Sequence, residues 1–221
     1  MNSINDKEKK HIGILGGNFD PIHYGHLKPL LHASKQLSLQ QVLLMPAHIP
    51  PHKHSVVASS AQRALMVELA CKEDKLLQFD DRELQRNSTS YTIETLKEIK
   101  SLSSKNTQLY FFIGMDSLLS FSTWYQYSEI LSLCHLVVNT RPNFNLNTAN
   151  NATLELLNNH QITRIEELKQ QAFGGIYFAK TNEEDISSTQ IRHQLQQGKN
   201  CAALLPETVY HYIKQQQLYI K

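Results

Sequence analysis

Hydrophobic residues in this chain occur in two alternating regimes: short continuous runs, and longer stretches in which they recur every three or four positions. The runs at 12–15, 41–46 ("QVLLMP"), 75–80 ("KLLQFD"), 108–114 ("QLYFFIG"), 133–140 ("LCHLVVNT") and 174–179 ("GGIYFA") predict strands. An unbroken apolar run such as 41–46, stopped by a proline, suits a strand covered on both faces. Between the runs, Leu27, Leu30, Leu31 and Leu37 predict a helix over 24–38. Ala64, Leu65, Val67, Leu69 and Ala70 predict a second over 61–74 with Ser60 as its cap, and Ile93, Leu96 and Ile99 a third over 92–102. Strands alternating with helices make βαβ units, whose right-handed crossovers build a parallel sheet. The expected class is α/β: an open, mainly parallel sheet with helices on both faces.

The pattern weakens at 143–173, where "NFNLNTANNATLELLNNHQ" is asparagine-rich before the chain turns helical through Ile165 and Leu168. This reads as an insertion carrying one helix, and 206–221 as a C-terminal helix. With 221 residues, no internal repeat and no long linker, one domain over 1–221 is the economical organisation.

Composition changes the picture only by exclusion. A formal net charge of +2 is too small to advertise a nucleic-acid or membrane surface. Cys71, Cys134 and Cys201 are odd in number and far apart, forming neither a CxxC pair nor a disulfide framework. The polar start "MNSINDKEKK" lacks the apolar centre of a secretory signal, and no apolar run approaches the roughly 18 residues that span a bilayer. A cytoplasmic protein is expected.

The chemistry concentrates in "LGGNFDPIHYGH", residues 15–26. A strand, then glycines, then a helix start is where open α/β sheets bind phosphate. Glycine lets an anion approach the backbone, and the helix N-terminus offers unpaired N–H groups. The spacing is neither GxGxxG nor that of a P-loop. His23 and His26, three apart at a helix start, lie on roughly one face and suit a transition state with negative charge on transferring oxygens. Two other readings stay open: a metal site drawing on His48, His52 and His54 of "HIPPHKH", and a tight turn without chemistry. Zinc lacks nearby cysteines and any HExxH pattern. Gly25, early in a helix, costs about 1 kcal/mol against alanine, a loss that usually leaves room for something.

"GGNFDPIHYGH" resembles the GGxFDPxHxGH signature of the nucleotidyltransferase superfamily, whose HxGH is akin to the HIGH motif of class I aminoacyl-tRNA synthetases. "ISSTQIR" (186–192) matches the ISSTxIR element that closes over the ATP phosphates in these enzymes. The segments "PPHK" (50–53), "SYTIETL" (90–96), "FFIGMDSL" (111–118), "TWYQYSEIL" (123–131) and "RP" (141–142) further resemble the bacterial nicotinate-mononucleotide adenylyltransferases, over nearly the whole chain outside 143–173. The resemblance implies a Rossmann-like sheet. It also implies the reaction of ATP with nicotinate mononucleotide to give deamido-NAD and pyrophosphate. Mg²⁺ would be the working metal, carried by the ATP phosphates and not by protein side chains. The nucleophile would be the mononucleotide's own phosphate, so no general base is needed.

Matched to the motifs, Gly16, Gly17, Asn18 and Phe19 would form the phosphate-side turn, with Gly25 and Gly114 also against ATP. His23 and His26 would contact the phosphates undergoing transfer, Arg192 would add charge there, and Ser187, Ser188 and Thr189 would hold the outer phosphates from a helix N-terminus. Trp124, the only tryptophan, offers a face to a pyridine ring. Thr92 and Tyr125 would recognise the nicotinate carboxylate. Asp116 would bind a ribose hydroxyl or cap a helix, and Lys53 and Arg141 are phosphate or carboxylate partners. Three features depart from the family pattern. Asn18 stands where Thr or Ser is commoner, "RNSTSYT" (86–92) has no glycine, and Pro29 predicts a distortion if the first helix starts at Tyr24. Kept open beside this reading are a sister transferase for nicotinamide mononucleotide or phosphopantetheine, and a non-catalytic nucleotide- or metal-binding α/β protein. The expected partners are ATP and nicotinate mononucleotide, with no nucleic acid and no membrane.

Overall fold

The computed structural model describes residues 9–48, 56–86, 89–140, 146, 149–180 and 186–220. Among these, six strands form one sheet: β1 (Lys10–Gly17), β2 (Gln41–Pro46), β3 (Leu77–Phe79), β4 (Thr107–Gly114), β5 (His135–Asn139) and β6 (Ile176–Ala179). Their order is β3-β2-β1-β4-β5-β6, with every neighbouring pair parallel. This is the doubly wound, Rossmann-like order, in which the winding reverses between β1 and β4 and leaves a crevice at their C-terminal ends. The register sets Gly16 opposite Met45 and Gly17 opposite Pro46 along one edge of β1, and Ile14 opposite Phe111 along the other.

Side chains alternate across the sheet and bury two cores. Tyr110 and Phe112 of β4 face one way, toward α1 (Tyr24–Gln36), α2 (Ser60–Ala70), α8 (Ser188–Gln196) and α9 (Glu207–Gln215). Leu109, Phe111 and Ile113 face the other, toward α3 (Thr92–Leu102), α4 (Met115–Leu119), α5 (Tyr127–Ile130) and α6 (Asn151–His160). Each fully buried Leu or Ile contributes roughly 1.5–3 kcal/mol, so both faces are firmly held. No described helix is long and apolar enough to cross a membrane.

The predicted spans 41–46 and 92–102 coincide with β2 and α3. Others move for identifiable reasons. The second helix starts at Ser60, and its cap is Ser59, not Ser60: the Ser59 hydroxyl accepts from Gln62 N–H at 3.2 Å while Gln62 Oε1 accepts from Ser59 N–H at 2.8 Å. That reciprocal pair needs Ser and Gln three apart, which only Ser59 satisfies. It closes at Ala70, with Cys71–Glu73 as a 3-10 turn. The first helix stops at Gln36 because Ser38 adopts φ +54°. It starts at Tyr24 and runs uninterrupted through Pro29; the loss is the one bond position 29 would have given the Gly25 carbonyl. Among the described residues of 143–173 there are two α-helices rather than one, α6 and α7 (Ile165–Gln170). The tail is helical only over Glu207–Gln215, with Pro206 at its N-cap.

One buried polar cluster lies at the sheet end opposite the crevice. His135, at the start of β5, is fully buried. Its Nδ1 accepts from Gly175 N–H at 3.1 Å, which leaves the proton on Nε2, 3.2 Å from the Gln171 carbonyl. Burial lowers its pKa from 6.5 to about 4. Between those values the unfolded chain takes up a proton that the folded one refuses. Stability is therefore complete above pH 6.5 and falls as the pH drops toward 4. From pH 7 to pH 4.5 this group should remove about 2–3 kcal/mol. Urea titrations at the two pH values test this, with His135→Gln expected to flatten the dependence; equal slopes in the two proteins would exonerate His135.

Candidate active site

The crevice between β1 and β4 is finished by a turn that the sequence makes unusually tight. β1 ends at Gly17, Phe19 takes φ +48°, the Asp20–Pro21 peptide is cis, and His23 enters α1 as an extended N-cap residue. The rings of His23 and His26 then stack at 3.7 Å, 25° apart, and Phe19 stands edge-on to His26 at 5.4 Å. His23 is buried. His23 N–H donates to His26 Nδ1 at 3.4 Å, and His26 N–H to the His23 carbonyl at 2.9 Å. An accepting Nδ1 puts the proton of a neutral imidazole on Nε2, so His26 presents a donor at the ring's far side.

The second motif arrives from the other end of the chain. Ser187 caps α8: its hydroxyl accepts from Gln190 N–H at 3.2 Å, and Gln190 Oε1 accepts from Ser187 N–H at 3.1 Å. The Ser188 hydroxyl donates to the Pro21 carbonyl at 3.0 Å. Arg192 Nη1 donates to the Asp20 carbonyl at 2.7 Å, and Nη2 to the Thr189 hydroxyl at 3.3 Å. The approach is closest at Gly25, where a Cβ would lie 2.8 Å from the Ile186 carbonyl oxygen and 2.9 Å from His23 Nδ1. The structure thus brings together His23, Gly25 and His26 with Ser187, Ser188, Thr189 and Arg192. An α8 N-terminus with free N–H groups, two imidazoles and a guanidinium make an anion site.

Two spaces open here. A cavity of about 760 Å³ is lined by the predicted Gly16, Gly17, Asn18, Thr92, Asp116, Trp124 and Tyr125. A smaller notch of about 70 Å³, on the α1 face of the sheet, is lined by Gly25, His26 and Gly114, together with Pro29 and Asn139. At Gly114, where β4 ends, a Cβ would come 2.5 Å from Asp116 Oδ1. Trp124 is packed by Phe121 at 5.3 Å and, edge-on, by Phe111 at 6.2 Å, while still lining the cavity. Tyr125 is half exposed and tilts against Tyr91 at 4.7 Å. Thr92 is the first residue of α3. The N-cap of α4 is Gly114, so Asp116 is not its cap residue. Lys53 and Arg141, with His52 and His54, lie outside the described residues.

Several contributors are not among the expected site residues: Asp20, although it is the Asp of the FDP signature, and Arg63 and Glu83, which carry no signal in the sequence. Asp20 is 4% exposed and accepts from Val57 N–H, Ala58 N–H and the Tyr219 hydroxyl. Arg63, 2% exposed, donates to the Asn18 carbonyl at 2.8 Å and fixes the turn from beneath. Burial lowers its pKa, opposed by the Asp20 carboxylate. Glu83 lines the large cavity and accepts from the Thr95 hydroxyl at 2.8 Å. Burial raises its pKa, and bonds from Thr95 and Ser90 work against that rise. Glu83 sits in the charged run "DDRELQR", where a solvated side chain is the default expectation.

Comparison with known proteins agrees with this architecture. A cytidylyltransferase-like family model matches residues 14–194. A protein of Psychromonas ingrahamii named as a probable nicotinate-nucleotide adenylyltransferase is 47% identical over 214 residues, 97% of this chain and 99% of its own. One of the same name from Klebsiella pneumoniae is 44% identical over 206 residues, covering 93% and 95%. Among solved structures, the nicotinic acid mononucleotide adenylyltransferase of Plasmodium falciparum, in complexes with APC and with NaAD, shares the fold. Both superpose with a TM-score of 0.70 at 19% and 18% identity, covering 95% of this chain and 97% of theirs.

Proposed function

The chain belongs to the cytidylyltransferase-like proteins and, within them, to the nicotinate-nucleotide adenylyltransferase family. From that premise we propose that it transfers the adenylyl group of ATP to the phosphate of nicotinate mononucleotide, giving deamido-NAD and pyrophosphate in NAD biosynthesis. The observation that carries the reading is the meeting of His23, Gly25 and His26 with 186–192 beside a cavity walled by Trp124 and Thr92.

The acceptor's phosphate oxygen attacks the α-phosphorus of ATP and pyrophosphate leaves. The protein's part is positioning and charge stabilisation. His26 Nε2–H and His23 serve the phosphates in transfer. The N–H groups at the start of α8, with Ser187 and Thr189, hold the outer phosphates, and Arg192 meets the charge that builds on the leaving group. The Ser188 hydroxyl, given to Pro21, ties the two motifs together. The Gly16–Phe19 turn brings backbone against the triphosphate, with Gly25 and Gly114 on the nucleoside side. Trp124 stacks on the pyridine ring, Thr92 and Tyr125 take its carboxylate, and Asp116 takes a ribose hydroxyl. Lys53 and Arg141, outside the described residues, are assigned by the family resemblance alone as phosphate or carboxylate partners of the acceptor.

The imidazoles, hydroxyls and amides around His23, His26 and 187–189 suit phosphate oxygens better than Mg²⁺, which prefers carboxylate and water oxygens; Asp20 is already bonded to Val57, Ala58 and Tyr219, and Glu83 and Asp116 stand on the wall of the large cavity. Mg²⁺ would therefore be carried by the ATP phosphates, whose charge it would help neutralise. A cytoplasmic location accompanies this reading, supported by three free cysteines.

The test is product chromatography with ATP, Mg²⁺ and three acceptors in parallel: nicotinate mononucleotide, nicotinamide mononucleotide and phosphopantetheine. Deamido-NAD should form, with nicotinate mononucleotide preferred at least about tenfold in kcat/KM. A site that pairs one carboxylate leaves groups unpaired with the amide. Equal or better turnover of either rival overturns the substrate assignment.

A further inference from the structure

Asp20 supports the phosphate side of the site, yet the reaction proposed above makes no direct use of it. Oδ2 accepts from Val57 N–H at 2.7 Å; Oδ1 accepts from Ala58 N–H at 3.1 Å and from the Tyr219 hydroxyl at 2.6 Å. Tyr219 lies beyond α9, is 6% exposed, and holds φ +61°, a left-handed conformation that disfavours a bulky residue. Burial and the neighbouring carboxylate both raise its pKa, so the hydroxyl remains a donor.

Arg192 meets the same residue at another atom. Its Nη1 donates to the Asp20 carbonyl at 2.7 Å while standing 3.9 Å from carboxylate Oδ2. The guanidinium is thus aimed by a neutral carbonyl and the Thr189 hydroxyl, and it is only loosely ion-paired with a carboxylate that has not closed on it to hydrogen-bond distance. Arg63, the other nearby cation, commits Nη1 to the Asn18 carbonyl and Nη2 to the His48 carbonyl and the Ser60 hydroxyl, while its buried Nε has no hydrogen-bond partner among the described residues.

We propose that Tyr219 is a positioning residue for nucleotide transfer: its hydroxyl satisfies Asp20 and keeps that carboxylate from closing onto Arg192, so the guanidinium stays available to the ATP phosphates. A buried carboxylate deprived of a donor takes the nearest one on offer. Here that donor is Arg192 Nη1. A direct, two-pronged arginine–carboxylate pair rewards the swing and withdraws the positive charge from the nucleotide. The proposal rests on the assignment of Arg192 to those phosphates.

A double-mutant cycle in the full chain tests it, using Tyr219→Phe, Arg192→Ala and the pair, with kcat and KM for each substrate. Tyr219→Phe should lower kcat/KM for ATP about tenfold, the scale of one hydrogen bond to a charged group. In the Arg192→Ala background the same change should cost less than about twofold. Nicotinate mononucleotide affinity, read by calorimetric titration, is the internal control for folding and should hold within about twofold. Equal losses in both backgrounds, no loss in Tyr219→Phe, or a parallel fall in acceptor affinity would each overturn the proposal. If Arg192→Ala alone turns over ATP normally, the Arg192 assignment itself fails, which is separable because that arm involves no change at Tyr219.

Discussion

Alanine at His26 is expected to lower kcat by about two orders of magnitude or more, the usual scale for removing one donor aimed at transition-state charge. The imidazole is held by a hydrogen bond and by ring contacts. Nδ1 accepts the His23 N–H at 3.4 Å, and the ring is clamped between His23 and Phe19. Those contacts fix the plane of the ring, and on the proposed assignment Nε2–H is the donor that meets the phosphates. Truncation also removes a cap from α1, worth roughly 1 kcal/mol of stability. That is small beside the roughly 2.7–4 kcal/mol expected on the barrier. The two losses separate experimentally: the thermal midpoint should fall by only a few degrees, while steady-state kcat collapses with KM for nicotinate mononucleotide little changed. His26→Gln, which keeps an N–H donor on a shorter arm, should recover part of the rate. Unchanged turnover in His26→Ala would remove the imidazole from the mechanism.

Gly25→Ala should be nearly as damaging, although alanine is the better helix former. Propensity alone favours the substitution by about 1 kcal/mol. Against it, the new Cβ would meet the Ile186 carbonyl oxygen at 2.8 Å and His23 Nδ1 at 2.9 Å. A backbone carbonyl cannot rotate away as a side chain can, so either 186–192 moves off α1 or the His23–His26 stack opens. Both displace phosphate ligands by a substantial fraction of an ångström, and misplacement on the 1 Å scale costs about a hundredfold in rate. The expected result is a loss of that order in kcat/KM for ATP, with the circular dichroism spectrum intact. Wild-type kinetics in Gly25→Ala would mean that the two motifs do not act as one site.

The parts that could be read from sequence are those whose local chemistry has one solution. "QVLLMP" is β2 to the residue because proline ends a strand that is apolar throughout, and 92–102 is α3 because Ile93, Leu96 and Ile99 recur at helical spacing. The HxGH and ISSTxIR segments are legible by their resemblance to the nucleotidyltransferase motifs, and in the structure they coincide with a close backbone approach at Gly25 and a Ser-capped helix start at Ser187. What escaped was either too short or too distant. α4 and α5, of five and four residues, span little more than one turn and cannot display a period. The Tyr219–Asp20 bond joins positions 199 apart, and nothing near either residue announces it. Arg63 and Glu83 look like ordinary surface charges until the fold encloses them. The start of the helix expected over 61–74 lies one residue earlier for a smaller reason: two serines stand in series, and only the partner three positions on reveals which one caps.

Trp124 is the chain's sole indole, and it stands on the wall of the large cavity with Phe111 and Phe121 behind it. Light absorbed and re-emitted by tryptophan therefore comes from one address in the molecule. An aromatic guest laid against that ring would quench or shift the glow, and no second fluorophore of the kind would blur the signal. On the proposed seating of the pyridine ring against Trp124, the protein would carry its own optical gauge of acceptor occupancy, with no dye to attach and no residue to engineer.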